Sequence, residues 1–248
     1  MPGPPTRMNP STEPRPSSND QRAALYRLLA WSSPSFPVGA FSYSHGLEAA
    51  TVAGAVHDRA TLQGWIIAII AQGSGRIDAE ILREAYRAVN ADDLVALDAA
   101  NRRGCAFRAS AELALEAGQQ GEAFLNTCLA AWPEPFLQNW ARSGSSSGSS
   151  ACYSAAFGAA AARAGIALED ALMGYLQAFA ANLMSAGLRL GLIGQTDGQR
   201  IIAALEPVIA EAAAAAKARD PADFGAAAFA VDLASMAHET QYSRLFRS

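Results

Sequence analysis

Leu168-Glu169-Asp170-Ala171-Leu172-Met173-Gly174-Tyr175-Leu176-Gln177-Ala178-Phe179-Ala180-Ala181-Asn182-Leu183-Met184-Ser185-Ala186-Gly187-Leu188-Arg189-Leu190-Gly191 is the stretch that decides the fold. Its large apolar residues, Leu172, Tyr175, Leu176, Phe179, Leu183, Met184, Leu188 and Leu190, fall nearly all round a helical wheel. A helix without a polar face is a buried one, so other helices must surround it. Arg189 stands out: a charge near the end of a buried helix needs a partner or a route to solvent, or the helix's last carbonyls.

Working outward, residues 151–164 read as a helix of small side chains, able to approach its neighbours closely and suited to a central place. Beyond the central helix, Gly191 or Gly194 can end it, and Thr196 or Asp197 can cap the next. That next helix carries Ile201, Ile202, Leu205, Val208 and Ile209, with a kink expected at Pro207. Asp220-Pro221 breaks the chain, and Phe229, Leu233 and Met236 lead into the C-terminal segment. Upstream, Asp58 caps a helix with Leu62, Trp65, Ile66, Ile69 and Ile70 on one face. Further helices are expected from about Asp78 (Ile81, Leu82, Ala85 and Val89 inward), from about Ala91 (Leu94, Leu97, Asn101), and over 105–132, with Gly118 and Gly121 as weak points. Residues 143–150 have a flexible-linker composition. Each half alone has apolar helix faces in need of partners, so one bundle with a mobile loop is expected rather than two domains.

Residues 1–18 are rich in Pro, Ser and Thr and are expected to be disordered. Structure is expected to begin at Ser18, paired with Gln21 in a capping box, with Leu25, Leu28 and Leu29 marking one face. The fold class is therefore all-α: a single-domain bundle of about eight to ten helices over 19–236, followed by a tail over 237–248. The abundance of alanine and scarcity of Val, Ile and aromatics favour helix and argue against a large sheet.

With 51% hydrophobic and 17% charged residues, the chain has ample material for a core. A net charge of −4 and no basic stripe give no reason to expect nucleic acid. The longest apolar run, 65–71, is too short to span a membrane, and no signal-peptide core is present. A soluble cytoplasmic protein is expected. Cys105, Cys128 and Cys152 are far apart, odd in number and without CxxC, which predicts neither disulfide framework nor zinc site but small buried residues in a reducing compartment. His45, His57 and His238 show no metal-ligand spacing, and there is no phosphate-binding GxxxxGK[ST], so neither metal nor cofactor is expected. Asp92-Asp93 and Asp98 faintly resemble the aspartate-rich segment of helical Mg²⁺-dependent isoprenoid enzymes. Their gaps of five and six turn them to different helix faces, and a capped helix start is the better reading. No catalytic constellation stands out, which favours a binding protein over an enzyme.

Two stretches remain. Ser33-Pro34-Ser35-Phe36-Pro37-Val38-Gly39-Ala40-Phe41-Ser42-Tyr43-Ser44-His45-Gly46-Leu47-Glu48 is a long non-repetitive connection. In it Gly39 can take a positive φ, and Ser42 or Ser44 can cap the following helix. His238-Glu239-Thr240-Gln241-Tyr242-Ser243-Arg244-Leu245-Phe246-Arg247-Ser248 is rich in the arginine and aromatic residues that anchor interfaces. Sequence physics alone leaves two readings of it open: a segment folded back on its own core, or one that docks on a partner.

These two stretches, with Arg189-Leu190 through Gly194-Gln195-Thr196-Asp197-Gly198-Gln199, together resemble the UreF family of urease accessory proteins. The chain departs from that family's pattern at Leu192 and Ser154, where the family usually or often has proline, and at Ala114 and Ala117, where it often has arginine and serine. The resemblance implies a dimer-forming, non-catalytic protein that binds the accessory protein called D or H. Through that pair it would reach the GTPase G, in an assembly that inserts nickel into apo-urease. It implies that the tail docks on D/H, with Tyr242 and Phe246 filling pockets, Arg244 and Arg247 pairing with partner groups, and His238 and Glu239 setting register; Ser243, Leu245 and Ser248 belong to the same surface. Phe41, Ser42, Ser44, His45, Glu48, Arg189, Gln195, Asp197 and Gln199 become interface candidates. A GTPase-activating role, with an arginine such as Arg189 supplied in trans, is compatible with this scaffold. Without its partner the tail is expected to be mobile, or borrowed by a neighbouring surface, rather than sealed into the core.

Overall fold

In a computed structural model, residues 17–147 and 150–248 are described. Residues 1–16 and 148–149, parts of the expected disordered segment and mobile loop, lie outside them. Among the described residues there is no strand, as the composition predicts. The chain forms α1 (Ser18–Trp31), a 3-10 turn (Ala40–Ser42), α2 (Leu47–Val52), α3 (Arg59–Gln72), α4 (Ser74–Asn90), α5 (Leu94–Ala106) and α6 (Ala111–Ala131). It continues as α7 (Pro135–Ser147), α8 (Tyr153–Arg163), α9 (Leu168–Arg189), α10 (Gln195–Ala218), a second 3-10 turn (Pro221–Asp223) and α11 (Phe229–His238). Among the described residues there are eleven α-helices, one of which, α2, has only six residues.

The central helix α9 is surrounded by α1, α3, α4, α8 and α10, which explains why its sequence lacks a polar face. Leu172, Leu176, Ala180, Leu183 and Ala186 are wholly buried on it. Helix α8 lies against α4, α5, α6 and α9, and Ala155, Ala156, Phe157, Ala159 and Ala161 are fully enclosed. Its small residues let α4 come close: a Cβ at Gly158 would stand 2.4 Å from the Leu82 carbonyl oxygen. Aromatic rings fill the space that remains. Phe124 meets Trp31, Phe36, Tyr153 and Phe157, with centroids 5.3–5.8 Å apart in near-perpendicular or tilted arrangements. Leu62, Ile66, Ile69 and Ile70 of α3 are fully buried, each contributing about 1.5–3 kcal/mol.

Several boundaries differ from expectation for local reasons. The first capping box is Ser17 with Asp20, not Ser18 with Gln21, so residue 18 is already helical. Helix α1 turns Ala24, Leu28 and Trp31 inward, while Leu25 and Leu29 face outward. Helix α7 runs through 143–147, so most of the expected loop is helical: nothing in serine forbids helix when an apolar face, here Leu137 and Trp140, is anchored. The proposed weak points Gly118 and Gly121 lie inside the unbroken α6. Helix α10 starts at Gln195 behind Gly194, with no side-chain cap from Thr196 or Asp197.

Candidate functional site

The long connection after α1 arrives at α2 through two consecutive left-handed residues, His45 (φ 57°) and Gly46 (φ 77°). This turn aims His45 and Glu48 into the protein. A Cβ at Gly46 would meet the Ser235 backbone nitrogen at 2.9 Å, because α11 crosses here. His45 is non-glycine, so its positive φ stores strain that the surroundings must hold. They do: Nδ1 is 3.3 Å from Glu116 Oε2, Nε2 is 2.5 Å from Ser74 Oγ, and the ring meets Phe179 edge-on at 5.1 Å.

The C-terminal segment closes over this turn. Glu48 Oε1 accepts from the Leu245 backbone N–H (2.7 Å), and Oε2 from the Phe246 N–H (2.9 Å). His238 is wholly buried between two carboxylates, with Nε2 3.1 Å from Glu48 Oε2 and Nδ1 2.6 Å from Glu112 Oε2. Arg244 reaches the other Glu112 oxygen at 2.7 Å. Burial pushes the Glu48 carboxyl up, but the two backbone N–H groups and His238 outweigh it and hold the pKa below the usual value. Further along, the Arg247 N–H donates to the Ser42 carbonyl (2.8 Å), and the Ser44 N–H to the Ser248 carbonyl (2.9 Å). Ser248 Oγ donates to Glu116 Oε2 at 2.9 Å and accepts from the His45 N–H at 3.3 Å. Phe246 and Ser248 are buried.

Arg189 joins the same closure. Its guanidinium lies between two rings, 3.7 Å from the Phe41 centroid and 4.3 Å from that of Phe246, and it donates to the Phe41 carbonyl. The α9 C-terminal carbonyls supply one further contact, Nε to the Ser185 oxygen at 3.3 Å. Beside this stack opens a cleft of about 670 Å³. Phe41, His45, Gln195 and Gln199 line it, and Asp78 and Arg108 form part of its floor. The floor is a buried network in which Asp78 accepts from Arg108 (2.7 Å), Ser154 (2.9 Å) and Tyr175 (3.0 Å).

The structure thus gathers Phe41, Ser42, Ser44, His45, Glu48, Arg189 and His238 with the segment 244–248 into one site. Gln195 and Gln199 face the neighbouring cleft, while Asp197 turns to Arg59 and Arg200. Glu239 accepts from the Ala111 N–H and so caps α6. The expectation that the tail stays out of the core without a partner is not met: Glu48 and the 42–45 backbone hold residues 245–248 from within this chain. Tyr242 is fully exposed, and Leu245 is 63% exposed. Glu112 and Glu116 were missing from the sequence reading, as was Gln120, which donates to Glu116. Their i, i+4, i+8 spacing was visible, but such a stripe ordinarily faces solvent, and only the folded partner shows otherwise. Asp93 caps α5, Asp92 is held by Arg163 and Asp98 by Arg102, so the three do not act together. Among the described residues no group of three or more His, Cys, Asp or Glu is placed to hold a metal ion. No described helix is long and apolar enough to cross a membrane.

Fold and site together define an all-α protein whose richest buried polar cluster fastens one segment of the chain to another and leaves side chains of that segment outward. Comparison with known proteins gives the family. The UreF family model matches residues 56–206. A urease accessory protein UreF of Rhodopseudomonas palustris (strain BisB18) is 46% identical over 228 residues, covering 92% of this chain and 93% of that one. One from Granulibacter bethesdensis is 46% identical, with 94% and 98% covered. One from a Bradyrhizobium species (strain ORS 278) is 43% identical, with 95% and 96% covered. The chain belongs to the UreF family of urease accessory proteins, which are not enzymes but serve the maturation of one.

Proposed function

We propose that this protein is a scaffold for nickel insertion into apo-urease, acting in the cytoplasm as a homodimer that joins the D/H accessory protein to the GTPase G. Nickel is the assembly's cargo in this reading, not a resident cofactor of this chain. The observation that carries the reading is the outward display of Tyr242 and Leu245 on a segment whose backbone is fastened at Glu48 and Ser42. A pre-ordered apolar pair binds without the cost of ordering a loose tail. Arg244 and Arg247, also exposed, flank the pair with positive charge. Leu25, Tyr26 and Leu29 give α1 an outward apolar face of the kind that a second copy covers.

The test replaces Tyr242 and Leu245 together by alanine, leaving the fastening groups intact, and measures the affinity for D/H. A loss of about 2 kcal/mol or more, roughly thirtyfold in Kd, is expected for interface anchors. Unchanged binding and unchanged nickel-dependent urease activation would remove the tail from the D/H interface. A GTPase-activating role for Arg189 asks more of the protein, because that guanidinium must first leave its place between Phe41 and Phe246.

A further inference from the structure

The three cysteines are far apart in sequence, yet folding brings two of them together. Asn101 and Cys105 are one turn apart on α5. Asn101 grips the start of α8 twice, accepting from the Cys152 N–H at 2.7 Å and donating to the Ser150 carbonyl at 3.1 Å. Cys105, on the same face, points its sulfur at that carbonyl, 3.7 Å away. The α5 backbone passes so near that a Cβ at Gly104 would stand 2.9 Å from Cys152 Sγ. The Cys105 and Cys152 side chains therefore lie side by side where the end of α5 meets the start of α8. Arg108 Nη2 lies 3.0 Å from Cys152 Sγ, and Ser154 Oγ lies 3.4 Å from it.

The two sulfurs differ in access and in charge. Cys105 is partly exposed, whereas Cys152 is fully buried. The neighbouring Cys105 thiol, with Arg108 beside Cys152, lowers the Cys152 pKa despite burial. The neighbouring Cys152 sulfur and burial raise Cys105. Cys152 is thus the sulfur that carries negative charge, and Cys105 the one that a reagent can touch. Cys128 is buried, its thiol pushed up to about 12 by burial, and provides an internal control.

We propose that Cys105 is a thiol-modification site for small-molecule disulfides and that Cys152 is its resolving cysteine. In the first step the Cys105 sulfur attacks one sulfur of RS–SR while its proton passes to the Cys152 thiolate acting as base, and the S–S bond of RS–SR breaks and releases RS⁻. In the second step Cys152 gives that proton to RS⁻ and attacks the Cys105 sulfur of the mixed disulfide. The second RS⁻ leaves and takes a proton from solvent. The protein is oxidised by two electrons to a Cys105–Cys152 disulfide, and the reagent is reduced to two thiols. The bond would fasten the end of α5 to the start of α8 and remove the negative sulfur from beside Arg108, which keeps its bonds to Asp78 and the Gly104 carbonyl.

The experiment treats the full chain, folded and at neutral pH, with oxidised glutathione and follows intact mass and peptide maps. Wild type should become lighter by two hydrogens, with the Cys105 and Cys152 peptides linked, Cys128 reduced, and the change reversed by dithiothreitol. Cys152→Ser should stop at a single glutathione adduct on Cys105, and Cys105→Ser should lose both products. Wild type that stops at the adduct would overturn the resolving role. Wild type whose Cys105 does not react while folded would overturn the site.

Discussion

Glu48 makes three bonds to the C-terminal segment, so its charge decides whether that segment is fastened. Glutamine at this position keeps the shape but presents an NH₂ group to one of the two backbone N–H donors and to His238. Charge-assisted hydrogen bonds of this kind contribute about 1.5–3 kcal/mol each. Glu48→Gln is therefore expected to speed hydrogen exchange of the Leu245 and Phe246 amides by about thirtyfold, the equivalent of roughly 2 kcal/mol. Unchanged exchange would show that the fastening rests elsewhere. The pH dependence has a definite sign. The folded pKa of Glu48 is depressed below 4.5, so its contribution is complete above that value and is lost as the pH falls through the lower folded value. Wild type should thus hold its tail at neutral pH and release it in acid, and Glu48→Gln should lose that acid step.

At the scale of elements, the sequence pattern was most telling where a helix meets its neighbours on all sides. The apolar girth of α9 and the small residues of α8 both announced central positions, because each pattern reflects what packs against it. The outward turn of Leu25 and Leu29 was not legible, since α1 has apolar residues on more than one face and only its place in the bundle chooses between them. The tail was legible as an unusual segment but not as a fastened one. Its partners Glu48, Glu112 and Glu116 lie 130 to 200 residues away in the chain, and no local periodicity links them. The packing of α8 on α4 gives its own test. Alanine at Gly158 would improve helix propensity by about 1 kcal/mol, yet its methyl would fall 2.4 Å from the backbone oxygen of Leu82. The atom it meets is backbone, with no flexible side chain to yield, so an overpacking cost of about 1–3 kcal/mol should outweigh the propensity gain. A lower urea midpoint for Gly158→Ala is expected, and a raised one would mean that the two helices are not so closely apposed.

For the whole molecule, the question posed by the Ser/Gly stretch is whether the helices before and after it form one cooperative unit. The core answers in terms of contacts: Trp31 and Phe124 from before the stretch pack on Phe157 and Tyr153 from after it. Helix α4 lies against both α8 and α9, and Arg108 meets Asp78 and Cys152 at the floor of the cleft. Separating the halves would expose the face of α8 that packs on α4, α5 and α6, and would strip Asp78 of its Ser154 and Tyr175 donors, at about 1.5–3 kcal/mol for each hydrogen bond to a charged group. Neither half then has an independent folded state worth populating, and a single unfolding transition follows. The distribution of tryptophan makes this measurable, because all four, at positions 31, 65, 132 and 140, precede the stretch. Their fluorescence reports the first half, whereas far-UV circular dichroism reports α8 to α11 as well. In a urea titration the two signals are expected to change together, at one midpoint and with one slope. A far-UV signal that persists after the tryptophans are exposed would mean that α8 to α11 stand alone and that the Ser/Gly stretch divides two domains.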